Sequence, residues 1–244
     1  MQPGIPIAYC GPPPLPSEMV ASWNLDPLVL AALGMLAAGG LLARTIPTYR
    51  RSAIVAAAIV LAIAFVSPLC AMTTALFSAR AIHHILLYAV AAPLLAMAFP
   101  FRRRFPTSAA FLGSTVVLWA WHLPALYSAA LSSTAVYWLL QGLLVSTAWL
   151  FWSRLMDIKR PALSALPVIA LGAGQMGLLA ALLTFAPDPL YAEHLTTTAA
   201  FGLSALEDQQ LAGLVMWVPG MAVFLVLALW LGRRSWFQIS TGPA

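Results

Sequence analysis

Long uninterrupted apolar runs dominate the chain, and short segments that carry most of the prolines and charges separate them. Each run is close to the roughly 20 residues that an α-helix needs to cross a bilayer. Continuous runs favour helices over the alternating segments of a membrane barrel, and helices satisfy their own backbone hydrogen bonds in lipid. The pattern predicts seven transmembrane helices, at Pro27–Ala43, Ala53–Leu69, Thr74–Phe99, Ser108–Leu123, Ala135–Trp152, Leu163–Thr184 and Gln209–Leu231.

Prolines and glycines inside these runs modify the predicted helices. Pro93, Pro167 and Pro219 are expected to kink their spans, because proline removes a backbone donor and clashes with the preceding turn. Gly40 and Gly172 offer small surfaces at which neighbouring helices can approach closely. The sequence therefore predicts kinked helices with close contacts.

Composition supports a membrane bundle and excludes two other classes of protein. Hydrophobic residues make up 62% of the 244 residues, and charged residues only 8%. A soluble domain with so few charges would lack a polar shell around its core, and disordered chains are poor in apolar residues. The predicted fold class is therefore all-α, a polytopic membrane helix bundle.

The charged residues sort by side of the membrane. All of the twelve basic residues except Arg80 lie in the segments that follow the first, third, fifth and seventh spans. The positive-inside rule makes those segments cytoplasmic, so the N-terminus is predicted outside and the C-terminus inside. The chain then has a Pro-rich extracytoplasmic tail over residues 1–26, a transmembrane domain over 27–232 and a cytoplasmic tail over 233–244. In this interpretation the net charge of +5 reflects the excess of basic residues on the cytoplasmic side of the membrane. No nucleic-acid partner is expected.

With this orientation, the residues that could do chemistry collect near the outer side. They are Arg80, His83 and His84 in the third span, His122 at the end of the fourth, His194 in the loop before the seventh, Cys70 and Met72 in the loop before the third, and Asp208, Gln209 and Gln210 at the start of the seventh. Ionisable groups are costly inside a bilayer, so the intramembrane histidines are functional candidates. Because adjacent helix residues point about 100° apart, His83 and His84 are not expected to share one ligand sphere.

The soft residues in this group indicate which metal they would suit. Imidazole together with thioether and thiolate favours Cu(I), whereas a structural zinc site would need a closed tetrahedral set that these spacings do not offer. The candidate copper ligands are His84, His122, His83, Met72 and Cys70. Structural interpretations stay open: Met72 could be packing, His194 could bond a neighbouring carbonyl, and Cys70 could pair with Cys10 if the N-terminal tail folds back.

Other residues at the outer ends have structural interpretations. Asp208 suits the positive end of the seventh helix's dipole. At least one of Gln209 and Gln210 is expected to form a hydrogen bond that holds the seventh span against the third or fourth, because buried amides need partners. Trp121 and Tyr127 are expected in an outer belt of aromatic residues at the membrane interface.

Four stretches of the sequence carry a family resemblance. They are Ser67-Pro-Leu69, Leu76-Phe-Ser-Ala-Arg-Ala-Ile-His-His-Ile-Leu-Leu87 with Ala92-Pro-Leu-Leu95, Trp121-His-Leu-Pro-Ala-Leu-Tyr127, and Leu203-Ser-Ala-Leu-Glu-Asp-Gln-Gln-Leu-Ala-Gly-Leu-Val-Met-Trp-Val-Pro-Gly220. At these residues the chain resembles the seven-helix CtaG family of bacterial cytochrome c oxidase assembly factors. The last stretch is the most specific.

This resemblance implies a non-enzymatic, multi-pass protein of the bacterial inner membrane that helps to assemble a haem–copper oxidase. Copper, as Cu(I), would be delivered to the oxidase copper centre from the periplasmic side. The implied partners are an oxidase subunit, a periplasmic copper carrier and membrane lipids. The family's polar motif residues fall on His84, His122, Asp208, Gln209 and Gln210.

The chain also departs from the family pattern. The resemblance places a His more often at the position of Arg80, a Gln at that of His83, an acidic residue at that of Cys70 and a His at that of Gln141. If the missing His were a ligand, His83 or Cys70 could replace it. Two alternatives remain at this point: a redox protein with a haem between His84 and His122, and a structural accessory subunit of the oxidase.

Overall fold

The structure is a computed structural model that describes residues 8–101, 103, 105–157 and 161–240. Every regular element in this part of the chain is helical, as the sequence predicts. The main helices are α1 (Pro27–Leu42), α2 (Thr48–Phe65), α3 (Pro68–Ala75), α4 (Phe77–Ile85), α5 (Ala92–Ala98), α6 (Thr107–Trp121), α7 (Pro124–Ser132), α8 (Thr134–Leu155), α9 (Leu166–Phe185) and α10 (Ala205–Ser240).

Five helical stretches are long and apolar enough to cross a membrane. They are α2, α8, α9, the Ala205–Arg233 part of α10, and Phe77–Ala98, in which a π-helical turn joins α4 to α5. A sixth is obtained if α6 and α7, which meet at an angle of 73°, form one broken span. Helix α1 is apolar but has only 16 residues. An all-helical membrane protein is thus confirmed, whereas the count of seven spans is not.

The three prolines inside predicted spans behave differently. Pro219 lies inside α10, as expected. Pro167 lies in the first turn of α9, where a missing N–H leaves no intrahelical bond unmade, so the prediction of a kink there is wrong. Pro93 is the second residue of α5, which begins directly after the π-helical turn Leu86–Ala91. Such turns widen a helix locally and are frequent at functional sites.

The predicted second and third spans are separated by a short helix. Helix α2 ends at Phe65, and Ser67 then caps α3 by accepting a hydrogen bond from the Leu69 backbone N–H. Leu76 is extended between α3 and α4 and breaks the helical path. Cys70 and Met72 therefore lie on a helix rather than in the predicted loop.

The stretch Phe77–Ala98 is the central helix of the bundle. Residues buried inside the protein make up 56% of its apolar window, against 28–33% for the four other spanning helices. Helix α10 packs against α9 and α4, α8 packs against α6 and α5, and α2 packs against α1 and α5. The helix that carries Arg80, His83 and His84 is thus the one most shielded from lipid.

The N-terminal tail folds back onto the bundle. Cys10 and Cys70 form a disulfide that connects the tail to α3. The Tyr9 ring stacks on Tyr137 with 5.1 Å between centroids, and its hydroxyl donates to Asp26, which caps α1. The tail from residue 8 onward is therefore part of the packed structure.

Candidate functional site

Helix α4 places three ionisable side chains inside the protein. Arg80, His83 and His84 are at most 2% exposed. They lie close to the end of the bundle at which α4 and α10 begin, which we call the outer end because the charge pattern predicts that it faces outward. Since a buried ionisable group must be paired or serve a function, this end is the candidate site.

His84 and His122 lie side by side at this end. Their ring centroids are 5.7 Å apart, and the His84 ring also contacts Trp121 at 4.7 Å. His122 follows the last residue of α6, where the chain turns before Pro124 begins α7. The bend between these two helices therefore turns His122 towards α4.

The hydrogen bonds of His122 determine which of its nitrogens is free. Its Nδ1 lies 2.7 Å from the carbonyl oxygen of Leu118, and a carbonyl only accepts, so Nδ1 carries the proton. In the neutral ring Nε2 then has an unshared lone pair. Among the described residues, neither Nε2 of His122 nor either nitrogen of His84 has a hydrogen-bond partner. A ring nitrogen with a lone pair, opposite one that donates to a carbonyl, is the usual arrangement of a metal-ligating histidine.

His83 occupies a different environment. Its ring meets Phe65 of α2 edge-on, with 5.2 Å between centroids, and the His83 and His84 centroids are 5.9 Å apart. The two histidines therefore have different aromatic neighbours: Phe65 of α2 for His83, and Trp121 at the end of α6 for His84. Both His83 nitrogens are buried, and the backbone of Ala64 in α2 is the polar group close to the ring.

The two sulfur residues among the candidate copper ligands, Cys70 and Met72, both have structural roles. Cys70 forms the disulfide with Cys10, so the prediction that it offers a thiolate is wrong for this oxidised form. Met72 packs in a small apolar cluster with Ala75, Leu76 and Ala79. That environment corresponds to the packing interpretation of Met72.

The site is therefore built on imidazoles. Within the described residues, no three His, Cys, Asp or Glu side chains form a group that could hold a metal ion. A metal–nitrogen bond is about 2 Å long, so ring centroids 5.7 Å apart are compatible with one ion bound to a nitrogen of each ring. Two neutral imidazoles fit a Cu(I) ion that is carried with few ligands.

Arg80 lies in a box of aromatic rings beside the histidines. Its guanidinium carbon is 5.7 to 5.9 Å from the ring centroids of Trp121, Tyr127 and Tyr137. Nη2 reaches the Thr73 carbonyl at 3.4 Å, and the hydroxyl groups of Tyr127 and Tyr137 also interact with the guanidinium group. Among the described residues, no carboxylate lies within ion-pair distance of the guanidinium group. The aromatic rings and the two tyrosine hydroxyls thus stabilise this cation together.

Asp208 caps the helix that carries these side chains. Its fully buried carboxyl group accepts hydrogen bonds from the backbone N–H groups of Phe77, at 2.6 Å, and Ser78, at 3.2 Å, and from the Ser78 hydroxyl. The residue before α4, Leu76, has no side chain that could do this. Asp208 also lies in the first turn of α10, where the dipole interpretation places it, although the hydrogen-bonded cap there is the reciprocal pair of Ser204 and Glu207.

Gln209 holds the start of α10 against α9. Its amide nitrogen donates to the Leu183 carbonyl at 3.2 Å, and its oxygen accepts from the Leu190 N–H at 2.7 Å. A hydrogen bond from this pair to another helix is thus confirmed, but the partner helix is α9, so the expectation of a bond to the third or fourth span is wrong for Gln209. Gln210, the next residue, is half-buried.

The connection between α9 and α10 closes the outer end. The Tyr191 ring stacks on Phe77 at 3.9 Å, and its hydroxyl donates to the His122 carbonyl. His194 donates from Nδ1 to the Ala75 carbonyl, so its Nε2 accepts from the Tyr127 hydroxyl at 2.7 Å. Burial lowers the pKa of His194 to about 4, which keeps the ring neutral near pH 7. His194 is therefore a hydrogen-bonded structural histidine.

The aromatic part of the site could not be identified from the sequence. Trp121 and Tyr127 are fully buried, so their predicted place in a lipid-facing belt is wrong. Tyr137 and Gln141, one turn apart on α8, also face the interior. The one signal in the sequence for a buried Trp121 is that it directly precedes His122. The direction in which these rings point depends on the bend between α6 and α7, which the sequence does not show.

Fold and site together define the class of this protein: an all-helical membrane protein with a buried histidine pair and a buried arginine near one end. The model of the cytochrome c oxidase caa3 assembly factor family (Caa3_CtaG) matches residues 29–114 and 104–238. Because these matches cover most of the chain, the protein belongs to this family. No curated protein and no solved structure matches the chain.

Proposed function

We propose that this assembly factor holds Cu(I) as cargo between His84 and His122 and passes it to the copper centre of a haem–copper oxidase. One observation carries the proposal: the buried rings of His84 and His122 lie 5.7 Å apart, and both have nitrogens without a hydrogen-bond partner among the described residues. In His122 the Leu118 carbonyl holds the proton on Nδ1, which leaves the lone pair on Nε2. Burial without hydrogen bonds is costly for a polar group, and a bound ion would remove that cost.

The small number of ligands suits transfer rather than storage. Cu(I) accepts imidazole and sulfur ligands, and an ion held by two imidazoles exchanges more readily than one in a closed cage. An assembly factor must give up its ion to the oxidase subunit that it contacts. A haem is a poorer fit, because a porphyrin between the two rings would need space that Trp121 occupies, 4.7 Å from His84.

We infer the predicted orientation for the same protein, with the histidine site facing the periplasm of a bacterial inner membrane. The Cys10–Cys70 disulfide supports it, because disulfides persist in oxidising compartments. Counting α1 and the bent α6–α7 pair gives seven spans, which puts the two termini on opposite sides. A reporter fused after Gly242 should be active only in the cytoplasm, and periplasmic activity there would contradict this topology.

Metal analysis of the purified protein tests the copper proposal. The wild type, loaded with Cu(I) under ascorbate and washed, should retain about one copper per chain, and His84→Ala and His122→Ala should each lose most of it. His194→Gln is the matched control, because it also removes a buried histidine but leaves the pair intact. Cells with His84→Ala should contain oxidase that has haem but lacks copper, and added copper should partly restore it by mass action.

The contrary result has a definite meaning. If His84→Ala retains as much copper as the wild type, or if its strain assembles fully metallated oxidase at limiting copper, the copper proposal is wrong. A protein that stays bound to mature oxidase in fixed stoichiometry would then be an accessory subunit. A Soret band in the purified protein would instead indicate a haem-binding protein.

A further inference from the structure

Beyond the proposed copper site, we propose that the inner end of the bundle binds one anionic phospholipid through its phosphate group. The inner end is the one opposite the histidines, where α2 begins and where α5 and α8 end. A cavity of about 590 Å³ lies there, with walls from α2, α5, α8 and α10. Ligand pockets in proteins are typically about 300 to 1,000 Å³, so this cavity has room for a phospholipid head group.

Two arginines give this cavity its charge. Arg50, near the start of α2, and Arg154, near the end of α8, both line it. Arg154 is paired with Asp157 at 3.5 Å, whereas no carboxylate among the described residues lies within ion-pair distance of Arg50. The two arginines and the one carboxylate leave a single net positive charge on the described lining residues. A phosphodiester carries a single negative charge, so the cavity and the phosphate of a phospholipid match in charge.

Hydrogen-bond donors of the lining residues lack acceptors. Ser153 is 5% exposed, and neither its hydroxyl nor Nε of Arg154 has a hydrogen-bond partner among the described residues. Nε of Arg50 donates to the Tyr49 hydroxyl at 3.1 Å, which leaves the two terminal nitrogens of this arginine for a ligand. Guanidinium groups bind phosphate oxygens through charge-assisted and often paired hydrogen bonds. Phosphate oxygens would therefore supply the acceptors that Ser153 and the arginines need.

Apolar residues at the rim favour a lipid over a soluble phosphate compound. Met97 of α5 and Trp230 of α10 line the cavity, and both are exposed at the surface of the bundle. They offer acyl chains an apolar surface directly beside the polar groups, and tryptophan is enriched at the level of the head groups. Basic pockets between transmembrane helices are known to hold anionic head groups in this way. The cavity thus combines the two surfaces that an amphiphilic ligand needs.

Native mass spectrometry of the full chain in detergent tests the site by counting bound lipids. Phosphatidylglycerol is the anionic probe, and phosphatidylcholine, which has the same phosphate but no net charge, is the control lipid. The wild type should bind one phosphatidylglycerol more tightly than further copies and more tightly than phosphatidylcholine. Arg50→Gln and Arg154→Gln should each weaken this binding by about fivefold or more, which is the contribution of one basic residue beside anionic lipid. Arg44→Gln is the matched control, because it removes an exposed arginine at the same end that does not line the cavity.

Inorganic phosphate separates the two possible sources of the phosphate group. An excess of sodium phosphate should leave the lipid bound, because it has no acyl chains, and displacement of the lipid would show a site for a soluble phosphate compound and overturn the proposal.

Two other results would also overturn it. If Arg50→Gln binds phosphatidylglycerol as the wild type does, or if Arg44→Gln loses as much binding, the lipid is held only by the general charge of the surface. If Arg154→Gln does not fold, the half-buried Arg50 decides the test. Because the cavity lies at the opposite end of the bundle from His84 and His122, failure here leaves the copper proposal standing, and failure of copper binding leaves this one standing.

Discussion

Buried polar side chains near the outer end differ in whether the protein satisfies them. His194 has a partner for each ring nitrogen, whereas His84 has none among the described residues. A satisfied histidine stabilises the fold, and an unsatisfied one costs free energy unless a ligand binds. This contrast, rather than the presence of histidine, separates the structural residue from the candidate ligand.

His194 should make stability depend on pH. Its pKa is about 4 in the folded protein and about 6.5 in the unfolded chain, so the unfolded chain takes up the proton first as the pH falls. The stabilisation is complete above pH 6.5 and should fall by about 3 kcal/mol between pH 6.5 and 4. Thermal unfolding of the wild type and of His194→Gln across this range measures the effect. The variant should show a shallower pH dependence, and identical profiles would contradict the assignment.

Asp208 should control the position of α4 more than the stability of α10. Asp208→Ala leaves two backbone N–H groups of α4 without a buried acceptor, which should cost roughly 1 to 3 kcal/mol. Glu207→Ala, one residue earlier, removes an exposed capping group of α10 and should cost clearly less. Tm values of the two variants give the comparison. If both variants lose the same amount of stability, the hydrogen bonds from Asp208 of α10 to α4 contribute no more than the exposed cap at Glu207.

Helix contacts depend on a few positions at which backbones approach closely. A Cβ atom at Gly213 of α10 would lie 2.7 Å from the Ala180 carbonyl oxygen and 2.9 Å from the Thr184 nitrogen of α9. At Gly174 of α9 nothing lies within 4 Å of such an atom. The close contact between α9 and α10 therefore requires a glycine at position 213, whereas position 174 has space for a side chain.

Substitution at these two glycines tests the contact. Gly213→Ala should destabilise the protein by about 1 to 3 kcal/mol, because the helices must separate to admit the methyl group. Gly174→Ala should be neutral or slightly stabilising, since alanine is the better helix former. The fraction of each variant that survives heating in detergent, measured by size-exclusion chromatography, distinguishes them. A stable Gly213→Ala protein would show that α9 and α10 can shift without loss.

Several helix boundaries followed from local sequence signals and others did not. The apolar runs predicted α8 to within a few residues. The break at Leu76 and the short helix α3 were missed, because Pro68 starts a helix as readily as it ends one. The 73° bend between α6 and α7 was also missed, since a Leu-Pro pair after His122 marks a boundary but not an angle.

In the whole molecule, one covalent link joins the N-terminal tail to the bundle. The disulfide joins cysteines 60 residues apart, and a loop of that length corresponds to about 4 kcal/mol of stabilisation in the chain-entropy account. The Cys10→Ser, Cys70→Ser double variant should therefore unfold at a lower temperature than the wild type. The wild type treated with dithiothreitol should match it, and dithiothreitol should not change the variant. A variant as stable as the wild type would show that noncovalent contacts such as the Tyr9–Tyr137 stack suffice.

Composition and the spacing of apolar runs were enough to predict a helical membrane protein, because lipid imposes the same requirement on every residue of a span. The chemistry of the site could be listed from residue types, since histidine and arginine are rare in such runs. Which residues come together depended on contacts between distant segments: the tail disulfide withdraws Cys70, Asp208 caps another helix, and a bend brings His122 to His84. No local pattern encodes these pairings, because each is set by how helices far apart in the chain pack against one another.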